Sequence, residues 1–217
     1  MRTVAQFFDD RYASQERYWW KQPHAYSSSP DDHAGSLITQ QVLRVARARG
    51  PGRAIDLGSG EGADAIRLAL MGWEVEAVEI SSVGAQKIKW FANRVGARVT
   101  VHQADIAEFE RAGKFDLVIC NGVLHYIEDK ATVCGRIQEM TSHGGTNAVS
   151  LWSSHSAVPP CHEVVPIYPD AEKGDVVQAY STWEKSLMYF ERNREEMGHD
   201  EMPRHTHSFI KMLASKL

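Results

Sequence analysis

Residues 53–70 read RAIDLGSGEGADAIRLAL, and this stretch decides the fold. Its first residues form a short, nearly continuous apolar run, as a strand buried on both faces does. Its last residues return apolar side chains at helical spacing. Between them Gly58, Gly60 and Gly62 occupy alternate positions, and Gly58, Gly60 and Ala63 satisfy the G-x-G-x-x-G/A pattern of a strand–loop–helix nucleotide cradle. The loop predicts a nucleoside-bearing ligand without deciding which one.

The same alternation continues outward. Short apolar runs at 53–58, 74–80, 98–103, 115–120 and 146–152 predict five strands, with helices at 62–71, 82–95 and 128–141. Repeated βαβ units imply an α/β fold with a doubly wound, mostly parallel sheet and right-handed crossovers. Residues 183–196 and 204–216 then alternate as two further strands around a turn near 198–203, a C-terminal antiparallel hairpin that brings the sheet to about seven strands. The proline-rich segment 153–174 reads as an ordered insertion over the site. A helix at 35–49 and the aromatic leader RYWWKQPHAYSSSP predict a helical cap over residues 1–49, set against a ligand-binding domain at 50–217.

With 217 residues, 43% of them hydrophobic and 24% charged, the chain can bury one sizeable core. A net charge of −4 offers no excess of cations for a nucleic acid, so a small-molecule partner is expected. The opening MRTVAQFFDDRYASQ is broken by charge, and no apolar run approaches the roughly 20 residues that span a bilayer. A soluble, cytoplasmic monomer or homodimer is expected. Cys120, Cys134 and Cys161 are odd in number and form no C-x-x-C pair, which suits packing in a reducing compartment.

Three acidic residues fall at successive strand ends. Asp56, two residues before Gly58, suits a cationic amino group better than a pyrophosphate, because like charges repel. Glu79 can accept from two ribose hydroxyls, a role that dinucleotide sites share, and Asp105 can accept from an adenine amino group. Amino acid, ribose and base together match S-adenosyl-methionine. Ser59 in the loop, Ile80 and Ile106 beside two of the carboxylates, and Asn121 at the fourth strand's end complete the expected cofactor set.

On DLGSGEG, Glu79, Asp105 and the run FDLVICNGVLHYIED, the chain resembles the class I S-adenosyl-methionine-dependent methyltransferases over roughly residues 50–152. Its C-terminal part, with PPCHEVVPIYPD, YSTWEKSLMYFERNREE and SFIKMLASK, is similar to the tellurite-resistance methyltransferases of the TehB type. That resemblance implies methyl transfer to a small nucleophile, a chalcogen oxyanion or thiol. It places active-site roles on His199 and Arg204, while Asp200 stands where the family carries an arginine. N- or O-methylation in secondary metabolism is an alternative acceptor chemistry. An NAD-dependent oxidoreductase and a non-catalytic adenosyl-methionine sensor are alternatives of another kind.

His125 and Tyr126 follow the fourth strand and are expected closest to the transferred methyl group. Trp19, Trp20 and Tyr26 are expected to close over the substrate as a lid that excludes water. A metal reading of His155, Cys161, His162, Glu163, His205 and His207 finds no compact ligand spacing, although His205 and His207, two apart on a strand, share a face. No metal is expected.

Overall fold

Strand residues alternate between two cores. Ile55, Val118, Cys120, Val149 and Ile210 join Val133, Cys134 and Ile137 in one cluster, whereas Ala54, Leu117, Ile119, Ala148 and Leu213 join Ile38, Val42 and Leu68 in the other. Period-two alternation on strands apolar on both faces forces helices onto both sides of the sheet. The computed structural model, which describes residues 2–18, 36–162, 164–196 and 203–217, shows this arrangement. The elements run α1 (Val4–Ala13), α2 (Leu37–Arg49), β1 (Arg53–Leu57), α3 (Ala63–Leu70), β2 (Glu74–Glu79), α4 (Ser82–Val95), β3 (Val99–Gln103), β4 (Phe115–Asn121), α5 (Lys130–Glu139), β5 (Thr141–Trp152), α6 (Asp175–Ala179), β6 (Glu184–Glu196) and β7 (His205–Ser215).

The seven strands lie in the order β3-β2-β1-β4-β5-β7-β6. β1 to β5 pair in parallel, and β7 runs antiparallel to both β5 and β6. The doubly wound sheet with a C-terminal antiparallel hairpin is therefore as expected. The order reverses between β1 and β4, and in such sheets ligands bind beyond the carboxyl ends of the strands at that switch. Because β7 is antiparallel, its first half returns to the same rim.

Local chemistry sets the helix ends. Ser81 caps α4 by accepting from the Gly84 N–H, and Gly96 closes it in the left-handed region at φ +70°. α1 carries a reciprocal Thr3–Gln6 capping box. It docks on the sheet through Asp9, whose carboxylate accepts from Ser81 Oγ at 2.5 Å and from the Val83 N–H at 3.1 Å at the N-terminus of α4. Fixed negative charge at that end also complements the helix dipole. β5 begins at Thr141, ahead of the expected 146, and a register shift between Phe115 and Leu117 accommodates the extra residues. No helix among the described residues is long and apolar enough to cross a membrane.

Candidate active site

The turn between β1 and α3 owes its shape to glycine. Gly58 lies at φ +71°, and a Cβ there would sit 2.3 Å from Val123 Cγ2. Gly62, at φ +86°, is the N-cap of α3 and packs against Ile88. The loop thus bends at left-handed positions at the rim of the sheet, where the absence of side chains lets a ligand approach the backbone closely.

Buried carboxylates surround this loop. Asp56 accepts from Ser59 Oγ at 2.7 Å, and its carboxyl lies well above the usual range because of burial and the nearby charges of Asp64 and Glu79. Glu79 accepts from the Gly60 N–H at 2.7 Å and the Ser81 N–H at 2.9 Å, yet burial pushes it up to about 7. Desolvated anions of this kind gain from a cationic or hydrogen-bond-donating ligand. Asp105 accepts from the Ala107 N–H at 2.8 Å. Asn121 is held by Ser150 Oγ, which donates at 2.6 Å, and itself donates to Asp64 Oδ2 at 3.3 Å. Together Asp56, Glu79 and Asp105 set three acceptors along one rim, a set that could hold a ligand carrying an ammonium group, a diol and an amino-bearing base.

A cavity of about 450 Å³ runs from this loop to the start of β7. The expected cofactor residues Asp56, Gly58, Ser59, Gly60, Glu79, Ile80, Asp105, Ile106 and Asn121 all line it, with Gly62 just behind at the helix cap. His125 and Tyr126 line it as well. His125 stacks on Trp152 with centroids 4.6 Å apart and rings 4° from parallel. Burial, reinforced by His207 and His162, lowers its pKa to about 3, so the ring is neutral near pH 7 and packs as an aromatic. Its Nδ1 is buried with no hydrogen-bond partner among the described residues. Tyr126, raised by burial, stays a neutral phenol whose ring meets Phe8 of α1 edge-on.

The far end of the cavity was not legible as a site. Trp152, His162, His207, Phe209, Lys211, Arg194 and Glu196 line it. His207, Phe209 and Lys211 follow at period two on β7, so a face count along that strand would have found them. Arg194 is presented by a register shift in β6 after Glu191, with Asn193 at φ +53°. Lys211 donates to Glu191 Oε2 at 2.5 Å, and Arg194 lies 3.6 Å from Glu191.

α1 supplies Phe7, Phe8, Arg11 and Tyr12 to the wall, and Tyr18 follows. Glu61, inside the glycine loop, locks this cap down. It accepts from the Tyr18 N–H at 2.9 and 3.0 Å and pairs with Lys87 at 2.9 Å. Arg204 is ion-paired with Glu195 on an exposed face and does not line the cavity. His199, Trp19, Trp20, Tyr26 and Glu163 lie outside the described residues. The insertion docks beside the site, with the Tyr168 N–H donating to the His125 carbonyl at 2.7 Å and Ser153 bridging to Asp170. Folding also unites His162, His205 and His207, which linear spacing had not shown as a ligand group.

A family model described as a methyltransferase domain matches residues 51–194. An uncharacterized methyltransferase of Mycobacterium tuberculosis is 40% identical over 98 residues, covering 44% of this chain and 48% of its own. A ubiquinone biosynthesis O-methyltransferase of Aromatoleum aromaticum is 29% identical over 131 residues, covering 58% and 54%. The chain thus spans about half the length of these curated relatives. Among solved structures, TehB of Haemophilus influenzae superposes with a TM-score of 0.72 at 21% identity, covering 92% of this chain and 66% of that one. The N-methyltransferase NodS of Bradyrhizobium japonicum, in complex with S-adenosyl-homocysteine, gives 0.69 at 16% identity, with 99% of both chains covered.

Proposed function

We propose that this chain, which belongs to the methyltransferase-domain family, transfers the methyl group of S-adenosyl-methionine to a small acceptor with an anionic nucleophile. A chalcogen oxyanion or a thiolate is the acceptor class, and a phenolate is the alternative. The observation that carries this reading is one cavity joining the carboxylate-lined glycine loop to a wall bearing Lys211 and Arg194, which Glu191 and Glu196 hold in place. Its 450 Å³ lies low in the range of about 300–1,000 Å³ for small-molecule pockets, so a nucleoside-bearing cofactor leaves room only for a small acceptor.

When bound, S-adenosyl-methionine supplies an electrophilic methyl group on a sulfonium, and its transfer leaves a neutral thioether. The chain's own tasks are alignment and exclusion of water. Asp56 would hold the amino-acid portion of the cofactor and Glu79 its ribose. Lys211 and Arg194 stabilise the acceptor's charge, and neutral His125 and Tyr126 shape the passage between the two halves. α1, with Phe7, Phe8, Arg11 and Tyr12 on the cavity wall, acts as a cap over the site. An acceptor that is already ionised needs no general base, in keeping with an imidazole that burial holds neutral.

The test is methyl transfer from labelled donor by the purified full chain to a panel of selenite, tellurite, thiols, phenols and amines. Turnover of an anionic acceptor, lost in Lys211→Met, supports the reading. Turnover confined to amines, or no turnover while adenosyl-homocysteine still binds, overturns the acceptor class.

A further inference from the structure

His162 comes from a short 3₁₀ turn in the insertion, Pro160–His162, while His205 and His207 come from the first residues of β7. One ring nitrogen from each lies within 4.8 Å of the others. The Nε2 atoms of His162 and His205 are 3.3 Å apart. With Zn–N bonds of about 2.0–2.1 Å, tetrahedral geometry spaces two ligand nitrogens by about 3.3–3.4 Å.

Three further features prepare the group. His205 Nδ1–H donates to the Pro203 carbonyl at 2.7 Å, which leaves Nε2 with its lone pair toward His162. A backbone carbonyl on the remote nitrogen is how metal-bound imidazoles are oriented. Trp152 fixes the other two rings, meeting His207 at 4.2 Å and His162 edge-on at 4.9 Å between centroids. Glu196 Oε2 stands 3.8 Å from His205 Nε2 and 3.9 Å from His207 Nε2, near enough to balance an added positive charge. The cluster also has an outlet, since His162, His207 and Glu196 line the acceptor end of the cavity.

We propose that His162, His205 and His207 form a binding site for a divalent transition-metal ion of the zinc class, at the end of the cavity that His162 and His207 line. A divalent ion held by three imidazoles accepts an anionic oxygen or sulfur ligand. In this chain that ligand is the methyl acceptor, a step that rests on the methyltransferase reading; the metal site itself does not. A metal held there would bind the acceptor as its anion beside Lys211, and for a hydroxyl or thiol acceptor the proton would leave to bulk water.

The experiment titrates the untagged, chelator-treated full chain with Zn²⁺ and with Co²⁺, in the wild type, His205→Ala, His207→Ala and, as a control, His143→Ala on the exposed start of β5. Adenosyl-homocysteine affinity and the thermal transition report whether each variant is folded. The site predicts one equivalent of metal per chain and an intense visible Co²⁺ band typical of four-coordination. Each cluster variant weakens binding by at least about tenfold, the loss known even for outer-shell partners, while the control binds as wild type. A wild type that binds no stoichiometric metal, or cluster variants that bind as well as the control, overturns the site. Because the wild-type titration stands alone, a variant that fails to fold does not rescue the proposal. If metal binds stoichiometrically while adenosyl-homocysteine does not, the methyltransferase reading falls and the metal site stands.

Discussion

Lowering the pH from 8 to 6 weakens adenosyl-homocysteine binding by about tenfold, through the protonation of Glu79. Burial raises this carboxyl from its usual 4.5 to about 7, despite two backbone N–H donors. A group titrating near 7 is about 90% ionised at pH 8 and about 9% at pH 6, and the ionised form is the one that accepts from both ribose hydroxyls. Asp56, also shifted upward by burial, acts in the same direction on the ammonium, so tenfold is a lower bound. The unliganded fold shows the opposite sign. Between the unfolded and folded values, about 4.5 to 7, the folded chain holds more protons than the unfolded chain, so its stability falls as pH rises through that window. Calorimetric titration at half-unit pH intervals, beside thermal melts of the free chain, reads both trends. Glu79→Gln lowers affinity at pH 8 and flattens the profile. Wild-type affinity constant within twofold from pH 6 to 8 would refute the assignment of Glu79 to the ribose.

Glu61→Ala removes the acceptor that the Tyr18 N–H and Lys87 share, leaving the Lys87 ammonium to the Gln15 carbonyl, and destabilises the chain by about 1–3 kcal/mol in urea unfolding; a loss under about 0.5 kcal/mol would mean that the cap is not anchored there. Gly58→Ala forces a side chain into the left-handed region and against Val123, and costs more than about 1–2 kcal/mol together with cofactor affinity; wild-type melting and binding would contradict the cradle. Lys211→Met raises the acceptor KM by about tenfold or more with adenosyl-homocysteine affinity unchanged, whereas Arg204→Ala, paired with Glu195 outside the cavity, leaves both within twofold. Equal losses in these two variants would relocate the acceptor.

The parallel half of the fold could be read because each element states its own period. β1 and β2 are buried along both faces, the glycine loop leads from β1 into α3, and α4 begins and ends where Ser81 and Gly96 say it must. The places of Asp56, Glu79 and Asp105 on the cavity wall were legible for the same reason, since the carboxyl ends of parallel strands open onto the rim of the sheet. α1 went unread: Asp9, Asp10 and Arg11 interrupt its apolar positions, and only Phe7 and Tyr12 are buried. The signal that was present is the Thr3-x-x-Gln6 box. The far wall was hidden by separation along the chain. His162 meets His205 only because the insertion folds onto the antiparallel hairpin, and a pairing across 43 residues leaves no mark in local spacing. Arg194 depends on a bulge, which pattern counting along β6 does not register.

The most direct test of the account is a crystal structure of the full chain with adenosyl-homocysteine. The account predicts the amino group against Asp56, both ribose hydroxyls within hydrogen-bond distance of Glu79, the adenine beside Asp105, and the sulfur facing the space bounded by Trp152 and Lys211. A ligand whose ribose lies away from Glu79, or whose sulfur points away from Trp152 and Lys211, would contradict it.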